Sequence, residues 1–154
     1  MFNPRTPVLV GVGQVLNRLE TLAEAKEPLE MMMDAILMAE KDTGVDQLLA
    51  QTQSVRVVRG MWGYKNPAKL LADRIGASGA ESVGTLIGGN QNQVVINETA
   101  SAILNNGLDL AVIRGAENGK SAGKARKAGM LSGKTPPPRV PTIAYWRRTT
   151  ARTP

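Results

Sequence analysis

Gly11-Val12-Gly13, at the end of the apolar run over residues 7–12, is the first spacing in this chain that could do chemistry. A Gly-x-Gly turn between a strand and a helix can hold a dinucleotide pyrophosphate against the amides of the helix N-terminus. Here the third glycine place holds Leu16, and the next convincing helix starts only near Pro28. Glycines that let a strand end turn tightly explain the spacing better. Met31-Met32-Met33 with Met38 could form a soft metal site or an adaptable binding surface. Thioethers at helical spacing more often fill a core, and these fall on the apolar face of an amphipathic segment. A third group is Lys120, Lys124, Arg126, Lys127 and Lys134, followed by Tyr145-Trp146-Arg147-Arg148. Cations interleaved with aromatics can bind single-stranded nucleic acid by stacking and phosphate contact. Charge alone, however, gives only non-specific affinity, and a charge run is more often a solvated segment.

Composition removes whole classes of reaction. The chain of 154 residues contains no Cys and no His. That rules out a thiolate nucleophile, an imidazole base, a disulfide and the commonest zinc ligands, so no metal site is expected. With one Phe, two Trp and two Tyr, the core must be built from aliphatic residues and methionine. The length fits one domain. The net charge of +6 is unevenly placed: residues 1–119 carry 13 acidic and 10 basic side chains, and residues 120–154 carry 9 basic and no acidic ones. A mildly acidic body is followed by a basic tail, which disfavours nucleic acid as the partner of the body. No apolar run reaches the ~18 residues of a membrane span, and no signal-peptide pattern opens the chain. The expectation is a cytoplasmic protein with no membrane partner.

Several elements must position whatever chemistry remains. PVLVGV over 7–12 reads as a strand buried on both faces. Residues 28–41 place Leu29, Met32, Met33, Ile36 and Leu37 at helical spacing, with Pro28 in the first turn and Gly44 past the end. SVRVVR over 54–59 is a second strand. Residues 66–76 form a helix with Asn66 as N-cap, Pro67 at the first position and Gly76 as terminator. Residues 80–87 form a third strand and 91–107 a helix whose apolar residues surround most of its circumference, so it should be largely buried. A fourth strand occupies 109–117. This βα alternation predicts an α/β domain with a mostly parallel sheet and helices on both faces. The domain is expected to span 1–133. Residues 134–154, rich in Pro, Arg and Thr, have the composition of a disordered tail.

Three blocks then carry a resemblance: the opening TPVLVGVGQ, the stretch VRVVRGMWGYKNPAKLLADRIGA, and the pair VVINETASA and VIRGAENGKS. Over residues 6 to about 130 the chain resembles the N-terminal half of the thiolases, in particular their sterol-carrier-protein-like branch. The resemblance implies two similar halves in the family, of which this chain matches one. It also implies that the chain stops before that half's fifth strand. The expected architecture is therefore thiolase-like but incomplete, through gene truncation or a frameshift.

The family's activity, acyl transfer on a coenzyme A thioester as in acetyl-CoA acetyltransferases, uses a cysteine at the N-terminal end of the buried helix. Counting three residues on from Asn97 puts Ala100 at that position. A methyl group cannot form the acyl intermediate. Thr99 and Ser101 flank it, yet a hydroxyl needs a positioned base, and the family's His and second Cys belong to the missing half. Glu98 is the nearby carboxylate, expected as a charge in the first helical turn. Glu117 and Ser121 match the family's strand-end turn and are assigned packing and hydrogen bonding. The resemblance thus implies a thiolase-type acyltransferase by descent that is inactive alone. Two rivals remain: a non-catalytic subunit, forming a homo-oligomer or pairing with a second thiolase chain, and a nucleic-acid binder acting through its basic tail.

Overall fold

The computed structural model describes residues 3–18, 21–105 and 107–129. The tail expected over 134–154 lies outside these residues. Three short strands, β1 (Ser54–Val57), β2 (Glu81–Gly84) and β3 (Ala111–Arg114), form a parallel sheet in the order β2-β1-β3. Four α-helices surround it: α1 (Pro28–Thr43), α2 (Pro67–Arg74), α3 (Gln91–Leu104) and α4 (Gly119–Lys127). Parallel neighbours need long crossovers, and the helices between strands supply them. The α/β class and the parallel sheet read from the sequence are both present.

β1 is the central strand, and all four of its residues are buried. Alternation sends Val55 and Val57 to one face, where they meet Leu29, Met32 and Ile36 of α1 and Ala68, Leu71 and Ala72 of α2 in one apolar cluster. Val112, in register with Val55, adds to the same face. Ser54 and Arg56 take the opposite face, and Val95 and Thr99 of α3 are buried outside the apolar cluster. α1 and α2 have the caps their sequences announce. Asn66 accepts the Lys69 N–H at 3.0 Å, and Gly44 closes α1 at a φ of 69°. At the start of α1, Glu27 at the N-cap and Glu30 at the third position form a reciprocal capping box around Pro28.

Residues 7–12 do not form a strand. They run extended without pairing to the sheet, and Val8, Leu9, Val10 and Val12 are exposed at 74, 83, 53 and 59%. An apolar run forms a buried strand only where a neighbouring strand offers a ladder, and none is offered to it among the described residues. The segment lies along α1 instead. Methyl groups at Gly11 and Gly13 would overlap the carbonyls of Ala39 and Ala35, and the Val12 amide donates to Asp42 at 2.9 Å. These two glycines therefore permit close approach to a helix; they do not make a tight turn.

Two burial expectations also fail. In α3 only Val95 and Thr99 are buried, and Ile96 and Leu104 are 49 and 44% exposed. In α1, Leu37 and Met38 are 49 and 48% exposed, whereas Met31 and Met32 are buried and Met33 packs at the cluster edge. Helical periodicity identifies a face able to be buried; burial itself needs a second layer, and no described element covers these faces. α4 has no signature in the sequence pattern. Its small and basic residues carry no apolar stripe, and none of them is buried.

The N-terminus is tied down by Arg5. Its guanidinium donates to the carbonyls of Ile103 (3.0 Å) and Leu108 (2.7 Å) and to the Asp109 carboxylate (2.5 Å). The Arg5 hydrogen bond first, and then that from Gln53, holds the Asp109 carboxyl below the ordinary aspartate range. A carboxylate with a lowered folded pKa adds stability above its unfolded value of about 3.9, and that stability is lost as pH falls through the folded value. Asp109→Asn should therefore be less stable than the wild type at neutral pH. The gap should close below about pH 3.9 in urea melts run across pH. Asn66→Ala should cost about 1 kcal/mol in the same assay. Gly13→Ala, which drives a methyl into a helix carbonyl, should cost about 1–3 kcal/mol.

Candidate functional site

In a parallel sheet the loops beyond the carboxyl ends of the strands converge on one edge, where such folds place their ligands. Here the loop after β1 carries Arg59 to Lys65, the turn after β2 leads through Gly88-Gly89 into α3, and Gly115 to Asn118 link β3 to α4. The first and third of these are joined. The Glu117 carboxylate accepts the Met61 N–H at 2.5 Å, and the Trp62 indole donates to the Ala116 carbonyl at 3.0 Å. Gly60 fits beneath them because a methyl there would overlap both the Glu117 carboxylate and the Trp62 ring nitrogen. The first and second loops meet where the Arg59 amide donates to Thr85 Oγ1 at 3.0 Å.

Tyr64 anchors the β1 loop to α1. It is buried, lies 5.3 Å from the Trp62 ring centre and donates its hydroxyl to Glu27 at 2.7 Å. Burial first, then this hydrogen bond, raises its pKa far above the usual tyrosine value. The hydroxyl remains a donor and does not serve as a base near neutrality.

The residues singled out from the sequence are dispersed. Asn90 and Gln91 begin α3, so Ala100 lies in its third turn, half-buried and away from the helix N-terminus where the resemblance places a nucleophile. Glu98 is likewise beyond the first turn, which contains no acidic residue. The helix starts at Gln91, where the sequence reading of 91–107 places it, after the Gly88-Gly89 turn. Thr99 is buried with its hydroxyl committed to the Val95 carbonyl at 2.6 Å, a common resting place for a mid-helix threonine. Ser101 is exposed and accepts from Asn105 at 3.3 Å. Asn97 accepts from Gln93 at 2.8 Å, and Ser121 sits in the first turn of α4. Glu117 alone takes part in the joined loops.

Arg114 went unremarked in the sequence. It ends β3, donates to the Gly13 carbonyl at 3.2 Å and borders a cleft of about 260 Å³ lined by Gly13, Gln14, Val15, Met31 and residues 114–117. Its Nε is buried without a hydrogen-bond partner, and burial lowers its pKa. A cation at the end of an otherwise apolar strand, before Gly115, was the available signal. Among the described residues no group of three or more metal-ligating side chains gathers, and no helix is long and apolar enough to cross a membrane.

This parallel sheet with its surrounding helices is thiolase-like. It is similar to the crystal structure of a monomeric SCP2-thiolase like protein type 1 from Mycobacterium smegmatis, with 32% identity and a TM-score of 0.65. The match covers 77% of this chain and 25% of that one, so the chain spans about a quarter of its neighbour's length. No family model and no curated protein matches the chain.

Because Glu117 joins two loops through an exposed hydrogen bond, Glu117→Ala should destabilise by about 0.5–1.5 kcal/mol. Glu117→Gln, which keeps an acceptor, should lose less, and chemical denaturation of the two variants compares them directly.

Proposed function

We propose that this chain is a thiolase-type acyltransferase by descent that does not turn over coenzyme A thioesters by itself. The observation that carries this reading is the thiolase-like fold in a sequence with no Cys and no His, where the counted nucleophile position is Ala100. The α3 N-terminus, which lowers a thiol's pKa where a thiol is present, bears Asn90, Gln91 and Asn92 instead. Thr99 Oγ1 faces a backbone carbonyl and not a base. Acyl transfer of this type needs a thiolate and an imidazole, and the sequence holds neither.

A second reading follows from the exposed Val8, Leu9, Val10 and Val12, which lie close together along the chain, with Leu16 beyond them. The chain acts as a non-catalytic subunit for a partner that brings the rest of a thiolase-like fold. Exposed apolar stretches of this kind mark interaction surfaces.

The pure chain, incubated with acetyl-CoA and acetoacetyl-CoA, should release free coenzyme A at the background rate. A thiol reagent can follow release cleanly, because the protein contributes no thiol. Turnover above background that rises in proportion to protein concentration would overturn the inactive reading.

A further inference from the structure

We propose that the solvent-facing side of α4 binds the phosphodiester backbone of a nucleic acid, independently of any acyl transfer. α4 carries Lys120, Lys124, Arg126 and Lys127 within nine residues and holds no acidic residue. All four cations are exposed, whereas Ser121, Ala122 and Ala125 are half-buried. On a helix wheel Lys120, Lys124 and Lys127 fall at about 0°, 40° and 340°, with Arg126 at about 240°. Ser121, Ala125 and Ala122 fall at about 100°, 140° and 200°, on the opposite side. The small residues thus seat the helix. The outward arc from Arg126 to Lys124 contains only the four cations and the glycines Gly119 and Gly123.

Such an arc is unfavourable for the chain by itself. Lys120 with Lys124, and Lys124 with Lys127, stand at the i,i+4 and i,i+3 spacings where like charges destabilise a helix. Elsewhere basic side chains meet carboxylates: Arg5 with Asp109, Lys26 with Asp34, Arg56 with Glu81 and Lys69 with Asp73. None of the α4 cations makes an ion pair with a described residue. A solvated helix face of mixed sign relieves this repulsion internally; here a polyanion relieves it from outside.

The arc also selects among polyanions. It offers no aromatic or aliphatic side chain, so α4 lacks the apolar anchor with which an interfacial helix enters a bilayer. The three lysines rise by about 6 and 4.5 Å along the axis, a row of point charges a few ångströms apart, as phosphates are along a strand. Gly119 and Gly123 leave room for close approach, since a Cβ at either would meet nothing within 4 Å. Lysine recognises phosphate as a point charge, and phosphate contacts carry no sequence information, so binding is indifferent to base sequence.

The test titrates the full 154-residue chain against a mixed-sequence single-stranded DNA oligonucleotide, reading fluorescence anisotropy across a salt series. Binding should weaken as salt rises. The joint variant Lys120→Gln, Lys124→Gln and Lys127→Gln should flatten the log-log salt slope by about 2, at roughly 0.7 per phosphate contact. At low salt it should bind about 10-fold or more weakly. Glutamine has nearly the helix propensity of lysine, so α4 is retained. Lys120→Arg, Lys124→Arg and Lys127→Arg together should bind as the wild type does. A control with the same loss of charge at exposed sites away from α4, Lys41→Gln with Lys65→Gln and Arg74→Gln, should keep the wild-type slope. An unchanged slope in the α4 glutamine variant, or an equal loss in the control, overturns the proposal. So does binding to phosphatidylserine vesicles with none to the oligonucleotide.

Discussion

Burial of both faces of β1 is the constraint on which the described fold depends. Val55 and Val57 are fully enclosed between the sheet and the two helices α1 and α2. On the other face, Arg56 is buried with its Nε on Ser54 at 3.0 Å and its terminal nitrogen 3.4 Å from Glu81. A central strand in a parallel sheet has no solvent-facing side, so each of its residues must find either an apolar neighbour or a hydrogen-bond partner. Ser54 does both jobs for Arg56: it accepts from the guanidinium and donates to Glu81 at 2.9 Å. The parallel order β2-β1-β3 follows once β1 is placed between two strands that need crossover helices.

The three loops at the carboxyl edge inherit their order from that strand. Met61, Trp62 and Tyr64 leave β1 and are caught by Glu117, the Ala116 carbonyl and Glu27. The joined loops make a platform on which the sequence places neither Cys nor His. Platform and reactive group are separable because loop geometry depends on backbone hydrogen bonds, whereas acyl transfer depends on a single ionisable side chain.

The unfilled surfaces share one origin. The apolar segment at 8–12, the outer faces of α1 and α3, and the edge of β3 are all places where a second layer or another strand would stand. Exposed apolar faces beside capped and hydrogen-bonded elements are surfaces on which further contacts are favourable.

Local features were legible in the sequence because they are decided by neighbours along the chain. Asn66 caps α2 through its own side chain, Gly44 and Gly76 end helices at positive φ, and the βα alternation forces the crossover topology. The lack of Cys and His likewise set limits on the chemistry before any coordinates. What only the tertiary structure decided depends on residues far apart in sequence. The run at 7–12 has the composition of a buried strand, but pairing needs a partner that composition cannot provide. The apolar girdle of α3 is a capacity for burial, and Ile96 and Leu104 stay exposed because no described element covers them. The role of Arg114 arises from a carbonyl 101 positions away along the chain. Contacts of that range depend on packing, and periodicity along a single segment carries no information about them.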